Sequence, residues 1–339
     1  MVVGCAKSRV DPHARPGRTG PPRNSELESS SGWQIDVMDL EQAGAHWRKH
    51  GYALLPVFLS PADIDSAQEA LSAVLPTADE FHDDVDPVRN ASFRDEFGGI
   101  LEFPWAAVEL CLLAVHVRLV ELAESVLGTT DLRLYSAEAW AKYTGAAEYD
   151  QELHSDYLNH TPLVPTSDPR FAQLEMFVWL SDVTEAHGPT HVVSRQLTTH
   201  LPAWPNWLSR SDVPELYEAE ISAAGPAGTV LAYSPATFHR GTAMTASRGA
   251  RYSLHLNFRP AAAEWAHRHG WAARASPFRP GWNQFVTKAS TRQLCLFGFP
   301  PPGHPYWTEE TLAGMAQRYE GLDVSAWRGS PVDGPARHH

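Results

Sequence analysis

The chain has 339 residues, a formal net charge of −13 and 43% hydrophobic residues, including 12 tryptophans. This composition supplies a hydrophobic core and excludes a disordered chain, while the negative charge disfavours nucleic acid as a partner. The sequence has no apolar run of about eighteen residues and no secretory h-region, so we expect no membrane span and a cytoplasmic protein. Three cysteines without C-x-x-C spacing argue against a disulfide framework and a zinc knuckle.

Two helices and a strand are predicted in the first part of the chain. A helical stretch runs from Leu40 through Trp47, and Gly51–Phe58 is typical of a short buried strand. Ser60 is the predicted N-cap of the next helix, because Pro61 suits the first helical position. Apolar residues at helical spacing extend this helix to Pro76. These elements are predicted to be scaffold.

A polar segment and a second core helix follow. Residues 77–100 are acidic and polar, which favours a solvated loop over a cation site. The helical apolar period from Trp105 to Leu127 predicts one long helix, closed by Gly128. His116 lies within it and is predicted to be a packed or boundary histidine, not a metal ligand.

After Gly128 the pattern changes to the two-residue period of β-strands. Strands are predicted at 132–143, 174–180, 190–193, 228–233 and 251–258. The last of these places Tyr252 and Leu254 on an apolar face and Arg251 and Ser253 on a polar face. The Pro- and Trp-rich residues 201–217 are predicted to form an insertion loop. Many short strands after a helical section predict a mainly β fold with flanking helices, a double-sheet jelly roll.

The sequence offers a set of metal ligands in this jelly roll. His154 and Asp156 are two residues apart on an extended segment, so their side chains point to the same side. His239 follows the strand at 228–233 and supplies a second imidazole. Two histidines and one carboxylate form the facial triad that binds non-haem Fe(II) and leaves three positions open. By itself His154-x-Asp156 is weak evidence, and a surface turn after a strand is the alternative.

A cationic partner for 2-oxoglutarate is predicted on the following strand. The far carboxylate of this co-substrate, once buried, needs a permanently charged bidentate partner and a hydroxyl group beside it. Arg251 and Ser253 share one face of the strand and meet both needs. Arg248 is the rival, but it falls in a turn and would be less rigidly oriented, so Arg251 is favoured.

Several segments, in one order along the chain, carry a family resemblance. They are His50-Gly51-Tyr52 with Phe58-Leu59-Ser60-Pro61-Ala62-Asp63-Ile64, Leu153-His154-Ser155-Asp156, Phe177 to Thr184 running into Gly188-Pro189-Thr190, Phe238-His239-Arg240-Gly241, and Arg251-Tyr252-Ser253. From residue 38 to about 260 the chain resembles the phytanoyl-CoA dioxygenase family of Fe(II)/2-oxoglutarate-dependent oxygenases. The occurrence of all these segments in this order is far more specific than any one motif.

The resemblance implies a double-stranded β-helix core in which His154, Asp156 and His239 hold iron. It also implies that Lys142 or Tyr135, on the strand before the metal motif, assists Arg251 in binding 2-oxoglutarate. The implied cofactors are Fe(II), 2-oxoglutarate and dioxygen. The implied reaction hydroxylates a small-molecule substrate through an Fe(IV)-oxo species and releases succinate and carbon dioxide. The presence of the motif aspartate disfavours the halogenase branch of the family.

The candidates for contact with the substrate lie near the metal motif and on one interior strand. Tyr157, Asn159 and His160 follow it directly, and Trp179 lies on an interior strand. For Trp179 core packing is the alternative, and for His160 and His255 the alternative is a supporting polar group without substrate contact. Val193-Ser194-Arg195-Gln196-Leu197 replaces the proline-glycine-serine-histidine turn of many relatives, so substrate contacts are expected to differ.

The predicted organisation is a disordered leader at 1–32, a single oxygenase domain at 33–328 with its jelly-roll core at about 130–260, and a loose tail at 329–339. Residues 261–328 are expected to pack against the barrel and reach the mouth of its pocket, with a last helix beginning after Thr308. Two rival functions stay open: a cupin-like metal-dependent isomerase or hydrolase without 2-oxoglutarate, and a non-catalytic binding barrel. An acyl-CoA, an amino acid and a secondary metabolite are all compatible substrates.

Overall fold

Two antiparallel sheets lie at the centre of the structure, a computed structural model that describes residues 38–94, 99–146, 150–157, 168–202, 205–263 and 280–328. The strands are β1 (Tyr52–Leu55), β2 (Ile100–Glu102), β3 (Leu132–Tyr143), β4 (Leu153–His154), β5 (Leu174–Trp179), β6 (Thr190–Val192), β7 (Trp207–Leu208), β8 (Ile221–Ser222), β9 (Val230–Tyr233), β10 (His239–Gly241) and β11 (Ala250–Pro260). The predicted leader at 1–32 and tail at 329–339 lie outside the described residues.

The strand order is that of a double-stranded β-helix. The larger sheet has the order β1-β9-β5-β11-β3-β2, and the smaller has the order β7-β4-β10-β6-β8. Neighbours in each sheet come from distant parts of the chain, as jelly-roll connections require. Residues of both sheets line one cavity between them. The predicted fold class is therefore confirmed.

Helices surround this core. They are α1 (Leu40–His50), α2 (Pro61–Glu69), α3 (Ala78–His82), α4 (Pro87–Ala91), α5 (Val108–Leu113), α6 (Val117–Leu127), α7 (Pro214–Glu218), α8 (Pro280–Lys288), α9 (Thr291–Cys295) and α10 (Glu309–Arg318). The apolar outer face of the larger sheet, including Met176 and Leu256, packs with Leu119 and Val120 of α6 in one buried cluster. This packing leaves the opposite, polar face of the sheet turned toward the cavity.

The faces of β3, β5 and β11 explain how the sequence specifies the site. The side chains alternate as predicted: Leu254 and Leu256 join the core cluster, whereas Arg251, Ser253 and His255 line the cavity. The polar face is also almost fully buried, and Ser253 is only 1% exposed. Polar groups on this face must therefore find partners inside the protein.

The second predicted helix is shorter than its apolar pattern indicated. Prediction extended it to Pro76, but α2 ends at Glu69 and a 3₁₀ turn follows at Leu71–Ala73. In this tighter turn Leu71 and Leu75 are both buried, at 8% and 1% exposure. Packing of these two leucines therefore overrides a continuous helical period.

The predicted helix from Trp105 to Leu127 was wrong as a single element. The structure has α5 and α6 instead, because His116 adopts an extended conformation (φ −56°, ψ 140°) at the N-cap of α6. The His116 Nε2 lies 3.5 Å from Asp63 Oδ1. This partly exposed contact confirms the prediction of a boundary histidine. Gly128, at φ 68°, ends α6 as predicted.

Residues 77–100 were wrongly predicted to be a solvated loop. Among the described residues of this segment, α3 begins after a capping box of Thr77 and Glu80, and α4 begins after Asp86. The Phe81 ring stacks on Tyr143 of β3 with centroids 4.1 Å apart. Acidic residues of this segment therefore cap helices, and Phe81 of α3 packs on the sheet.

The predicted insertion loop at 201–217 also contains regular structure. Strand β7 pairs with β4, with Leu208 opposite Leu153, and α7 follows it. The Tyr217 hydroxyl accepts a hydrogen bond from the Leu153 amide at 2.9 Å and donates one to the Leu208 carbonyl at 2.8 Å. The segment is therefore fastened to the strand that carries the metal motif.

The C-terminal helices pack against the sheet region as expected. Trp282, Phe285 and Phe297 form aromatic contacts with Phe103, and the Leu134 amide of β3 donates to the Leu296 carbonyl at 3.0 Å. Helix α10 begins after Thr308, as predicted. None of the described residues 280–328 lines the cavity, so the expected reach to its mouth is not seen in that part.

Candidate metal centre

Three predicted ligands meet where β4 and β10 pair. His154 ends β4 and His239 begins β10, and the two residues lie opposite each other across the antiparallel ladder. Asp156 follows two residues after His154, so its carboxylate returns to the same side. One ligand atom from each of the three side chains lies within 4.8 Å of the others. In the part of the chain that is described, no other group of three such side chains converges in this way.

Hydrogen bonds from the far side of each imidazole orient the two histidines. The His154 Nδ1 lies 2.9 Å from the Glu152 carbonyl, and the His239 Nδ1 lies 3.0 Å from the Thr237 carbonyl. Because a carbonyl only accepts, each Nδ1 carries the proton and each Nε2 presents its lone pair. The Nε2 atoms lie 3.8 Å and 3.2 Å from the oxygens of Asp156.

The charges of the three groups differ because of burial and of their neighbours. Burial and the nearby His239 lower the pKa of His154 to about 4, so this imidazole is neutral at pH 7. Burial also disfavours charge on His239, but the Asp156 carboxylate outweighs burial and raises the pKa of His239. A metal cation bound between these side chains would take the place of a proton on the His239 imidazole as the partner of the Asp156 carboxylate.

The chemistry of the donor set fits Fe(II). Two neutral imidazoles and one carboxylate supply a single negative charge and three of six positions, which is the facial arrangement of non-haem iron oxygenases. A structural zinc site would instead use four protein ligands and be closed. Here the ligand atoms face a cavity of about 170 Å³ that is open to solvent on one side. The site therefore has room for a co-substrate beside the metal.

One end of the cavity is cationic. Arg251 of β11 lies directly across the ladder from Lys142 of β3, and both line the cavity with Ser253. Arg251 Nη1 donates to the Gly188 carbonyl, and its guanidinium lies over the Trp179 ring at 5.5 Å. These contacts fix the direction of a side chain that is only 7% exposed. Two positive charges and a hydroxyl group therefore line the same cavity as the metal-ligand candidates.

The structure separates Arg251 from its rival. Arg248 is half exposed and binds Asp79 and Asp83 at 3.2 Å and 2.9 Å. It does not line the cavity. Of the two arginines, Arg251 lines the cavity, whereas Arg248 ties two surface segments together.

The remaining predicted site residues are distributed unevenly. Tyr135, at the other end of β3 from Lys142, packs beside Arg259, whose guanidinium lies 5.7 Å from its ring; Tyr135 does not line the cavity. Trp179 is fully buried beneath Arg251, and its indole donates to the Ala223 carbonyl. Tyr157 is 6% exposed and its amide donates to the Pro235 carbonyl. Asn159 and His160 lie outside the described residues.

A buried polar network supports the cavity floor, and of its members only His255 was named from the sequence, with a supporting polar role as one of two alternatives. The His255 Nε2 lies 3.0 Å from both Glu175 and the Tyr233 hydroxyl, and Glu138 accepts a hydrogen bond from the Trp140 indole at 3.0 Å. Burial lowers the pKa of His255, but the two carboxylates outweigh it and raise that pKa to about 10. The alternation of polar residues along β3 was the available signal, because it places Glu138 beside the polar face of β11.

Trp207 was also missed. Its indole stacks on the His154 imidazole at 4.3 Å and 16° and lines the cavity, although the side chain is 45% exposed. Strand β7 has only two residues, so it carries no recognisable period.

The family model for phytanoyl-CoA dioxygenase matches residues 47–251, which is 205 of 339 residues. The chain belongs to the phytanoyl-CoA dioxygenase family. Membership confirms the resemblance to Fe(II)/2-oxoglutarate-dependent oxygenases, and the cofactors of this family, Fe(II) and 2-oxoglutarate, are those the His154, Asp156 and His239 site fits. The protein is an enzyme of this class.

No helix among the described residues is long and apolar enough to span a membrane.

Solved structures similar to this family member include AviO1 from Streptomyces viridochromogenes Tue57, at 14% identity and a TM-score of 0.49, covering 68% of this chain and 100% of that one. EctD from S. alaskensis has 18% identity and a TM-score of 0.49, covering 70% and 85%. The epimerase SnoN, in complex with Fe³⁺, α-ketoglutarate and nogalamycin RO, has 20% identity and a TM-score of 0.47, covering 66% and 84%. No curated protein sequence matches the chain.

Proposed function

We propose that this family member hydroxylates a small molecule in a reaction that consumes 2-oxoglutarate and dioxygen and yields succinate and carbon dioxide. The observation that carries the proposal is the combination in one cavity of the His154, Asp156 and His239 cluster with Arg251 and its neighbours. A metal cluster alone would suit many hydrolases. An enzyme that binds a dianionic co-substrate needs a buried positive charge in addition to the metal, and Arg251 supplies that charge.

Three side chains would hold the iron, and a second set would orient the co-substrate. His154, Asp156 and His239 would bind Fe(II), which supplies the activation of dioxygen when bound. Arg251 would hold the far carboxylate of 2-oxoglutarate through charge-assisted hydrogen bonds, with the Ser253 hydroxyl beside it. Because Arg251 is already positioned by Gly188 and Trp179, little side-chain freedom is lost when the carboxylate binds.

Burial of these groups keeps water from the reacting region. His239 is 4% exposed, Ser253 is 1% exposed and His255 is 6% exposed. Electrostatic contacts are stronger in such surroundings than in water. We propose that the substrate enters from the solvent-open side of the cavity, where Trp207 lies. Lys142, whose Nζ donates to the Thr242 carbonyl at 3.4 Å, would add positive charge at the co-substrate end.

Succinate production tests the proposal. Purified protein with Fe(II), ascorbate and 2-oxoglutarate is expected to form succinate slowly alone and faster when a substrate is added. An Arg251→Ala variant is expected to lose this activity, whereas Arg248→Ala is expected to keep it. A cupin-like isomerase or hydrolase that does not use 2-oxoglutarate would form no succinate with any compound, and neither would a binding barrel.

The product distinguishes hydroxylation from other outcomes. Mass spectrometry under ¹⁸O₂ is expected to show one added oxygen atom in the product, carrying the label, for each succinate formed. A product of unchanged formula, or one that has lost two hydrogens, would contradict hydroxylation while keeping the co-substrate assignment.

A further inference from the structure

We propose that the substrate is a flat-ring compound without phosphate groups, stacked beside Trp207, and not an acyl-CoA. This inference rests on the proposed function, because it concerns the side of the same cavity that 2-oxoglutarate leaves open. Three features of the described residues carry it: an exposed indole at the metal, a rigid aromatic floor, and the absence of further cations in the cavity wall.

Trp207 is the first feature. One side of its indole covers His154, yet nearly half of the side chain stays exposed at the cavity. The backbone is fixed on both sides of Trp207, because Asn206 exchanges two hydrogen bonds with the backbone of Ser155, at 2.9 Å and 3.0 Å, and the Leu208 carbonyl accepts one from the Tyr217 hydroxyl at 2.8 Å. An exposed tryptophan held rigidly at a binding site offers a large apolar plane at little entropic cost.

The cavity floor is the second feature. The Trp140 and Phe177 rings meet edge to face at 5.7 Å, and both line the cavity. His255 stacks on Phe177 at 4.5 Å, and the Trp140 indole donates to Glu138. The buried network of acids and histidine therefore fixes the planes of the floor. Rigid aromatic planes on two sides fit a flat ring better than a flexible acyl chain, which needs a long apolar tunnel.

The distribution of cations is the third feature. Among the described residues that line the cavity, Lys142 and Arg251 are the only lysine and arginine, and the proposed function assigns both to the co-substrate. Arg210, close to Trp207 in the chain, lies over the Tyr217 ring at 4.4 Å. Coenzyme A carries several phosphate charges, which need basic partners. A net charge of −13 adds further repulsion.

Binding to the full chain, saturated with Co(II) and 2-oxoglutarate, tests the inference. Isothermal titration would use 2-naphthol and flavone as flat rings, decahydro-2-naphthol as a ring skeleton without an aromatic plane, and palmitoyl-CoA. We expect at least one flat ring to bind, decahydro-2-naphthol to bind at least about tenfold more weakly, and palmitoyl-CoA not to bind. A tenfold difference in affinity corresponds to about 1.4 kcal/mol, which is within the range that stacking on one aromatic side chain contributes.

Variants assign the effect to the indole. Trp207→Ala is expected to weaken binding of the flat ring about tenfold, and Trp207→Phe to restore most of it, because phenylalanine keeps an aromatic plane. Tyr306→Ala, at a similarly exposed aromatic residue outside the cavity, is the matched control and is expected to leave binding unchanged. Tight binding of palmitoyl-CoA, no binding of either flat ring, or a Trp207→Ala variant equal to the native protein would each overturn the inference.

The same samples separate this inference from the proposed function. The visible spectrum of bound Co(II), and its change when 2-oxoglutarate is added, report the metal and co-substrate sites alone. If the native protein gives neither signal, the proposed function fails. If both signals are present and the ring compounds behave contrary to expectation, only the substrate class is wrong.

Discussion

The Arg240 and Glu220 ion pair lies beside the metal-ligand strand, and a Glu220→Gln substitution tests its energetic role. Arg240 follows His239 on β10 and is 3% exposed. Its Nε and Nη2 donate to the two oxygens of Glu220 at 2.7 Å and 2.6 Å, and His191 contacts the same carboxylate at 2.9 Å. Asp150, the second acid near Arg240, is half exposed and lies 3.3 Å away. Glutamine would keep one acceptor oxygen but would remove the negative charge and place an NH₂ group against the buried guanidinium.

The pKa of Glu220 gives the magnitude. Burial raises this pKa, but the hydrogen bonds and charges of Arg240 and His191 outweigh burial and lower it from 4.5 to about 2. At about 1.4 kcal/mol per pH unit, the shift corresponds to about 3 kcal/mol of folding free energy. Removal of one partner of a buried pair typically costs about 3–5 kcal/mol. We therefore expect Glu220→Gln to lower the free energy of unfolding by about 3 kcal/mol at pH 7.

The pH dependence follows from the sign of the shift. A carboxyl group whose pKa is lowered on folding stabilises the protein fully above its unfolded value of 4.5, and this contribution is lost as the pH falls toward 2. The difference between native protein and variant should be constant from pH 8 to about pH 5 and then narrow. It should decrease by about 1.4 kcal/mol per pH unit below 4.5.

Urea unfolding at several pH values, followed by circular dichroism, measures this difference. Glu309→Gln is the control, because Glu309 pairs with Arg328 at 2.8 Å but is 81% exposed; an exposed pair contributes at most about 1 kcal/mol. If Glu220→Gln and Glu309→Gln proved equally mild, or if the Glu220→Gln difference did not change between pH 5 and pH 3, the reasoning would be refuted.

Three further substitutions test other parts of the account. Arg251→Ala is expected to weaken 2-oxoglutarate binding to the Co(II) protein at least about 100-fold, because a charge-assisted bidentate contact is lost. Arg248→Ala is the control and is expected to change the affinity less than about twofold. Equal effects of the two substitutions in calorimetry would count against Arg251 as the partner of 2-oxoglutarate. Gly228→Ala should lower the free energy of unfolding by more than about 2 kcal/mol, because φ is 85° and the added Cβ would overlap the Leu59 carbonyl oxygen. Gly298→Ala is the control for thermal unfolding: φ is 87°, no atom lies within 4 Å of the added Cβ, and the expected cost is only about 1 kcal/mol. The pKa of His255 is raised to about 10, so its contribution to the free energy of unfolding is complete below pH 6.5 and is lost as the pH rises through 10. Urea unfolding should therefore show the native protein losing stability relative to His255→Gln between pH 6.5 and pH 10. A stability difference between the two proteins that stayed constant over this interval would be inconsistent with a buried imidazolium.

Local rules of sequence predicted the elements that carry the site. The alternation along β11 held because this strand buries an apolar face on the helices and a polar face in the cavity. The prediction that β3 alternates over its whole length was wrong, because a bulge between Leu134 and Ser136 puts Leu134 on the same apolar face as Ala137. Ser60 and Thr308 are the N-cap residues of their helices, as the spacing predicted. The predictions of Arg251 over Arg248, and of one polar face on β11, follow from the same periodicity.

Long-range packing determined what sequence could not predict. The apolar period from Trp105 to Leu127 continues through the break at His116, so no local signal marks the turn that brings His116 to Asp63. The role of Trp207 depends on pairing between β7 and β4. The family resemblance offered Tyr135 as an alternative to Lys142 for the co-substrate, but Tyr135 lies at the other end of β3 and does not line the cavity.

Anaerobic titration with Fe(II) and then 2-oxoglutarate tests the central claim most directly. The claim is that His154, Asp156 and His239 hold one metal ion next to the co-substrate site. We expect one Fe(II) per chain by equilibrium dialysis, 2-oxoglutarate binding that depends on the metal, and a visible charge-transfer band when both are present. Asp156→Ala should bind Fe(II) at least about 100-fold more weakly while retaining the native circular dichroism spectrum. Undiminished Fe(II) binding by Asp156→Ala, or 2-oxoglutarate binding of equal strength without metal, would contradict the account.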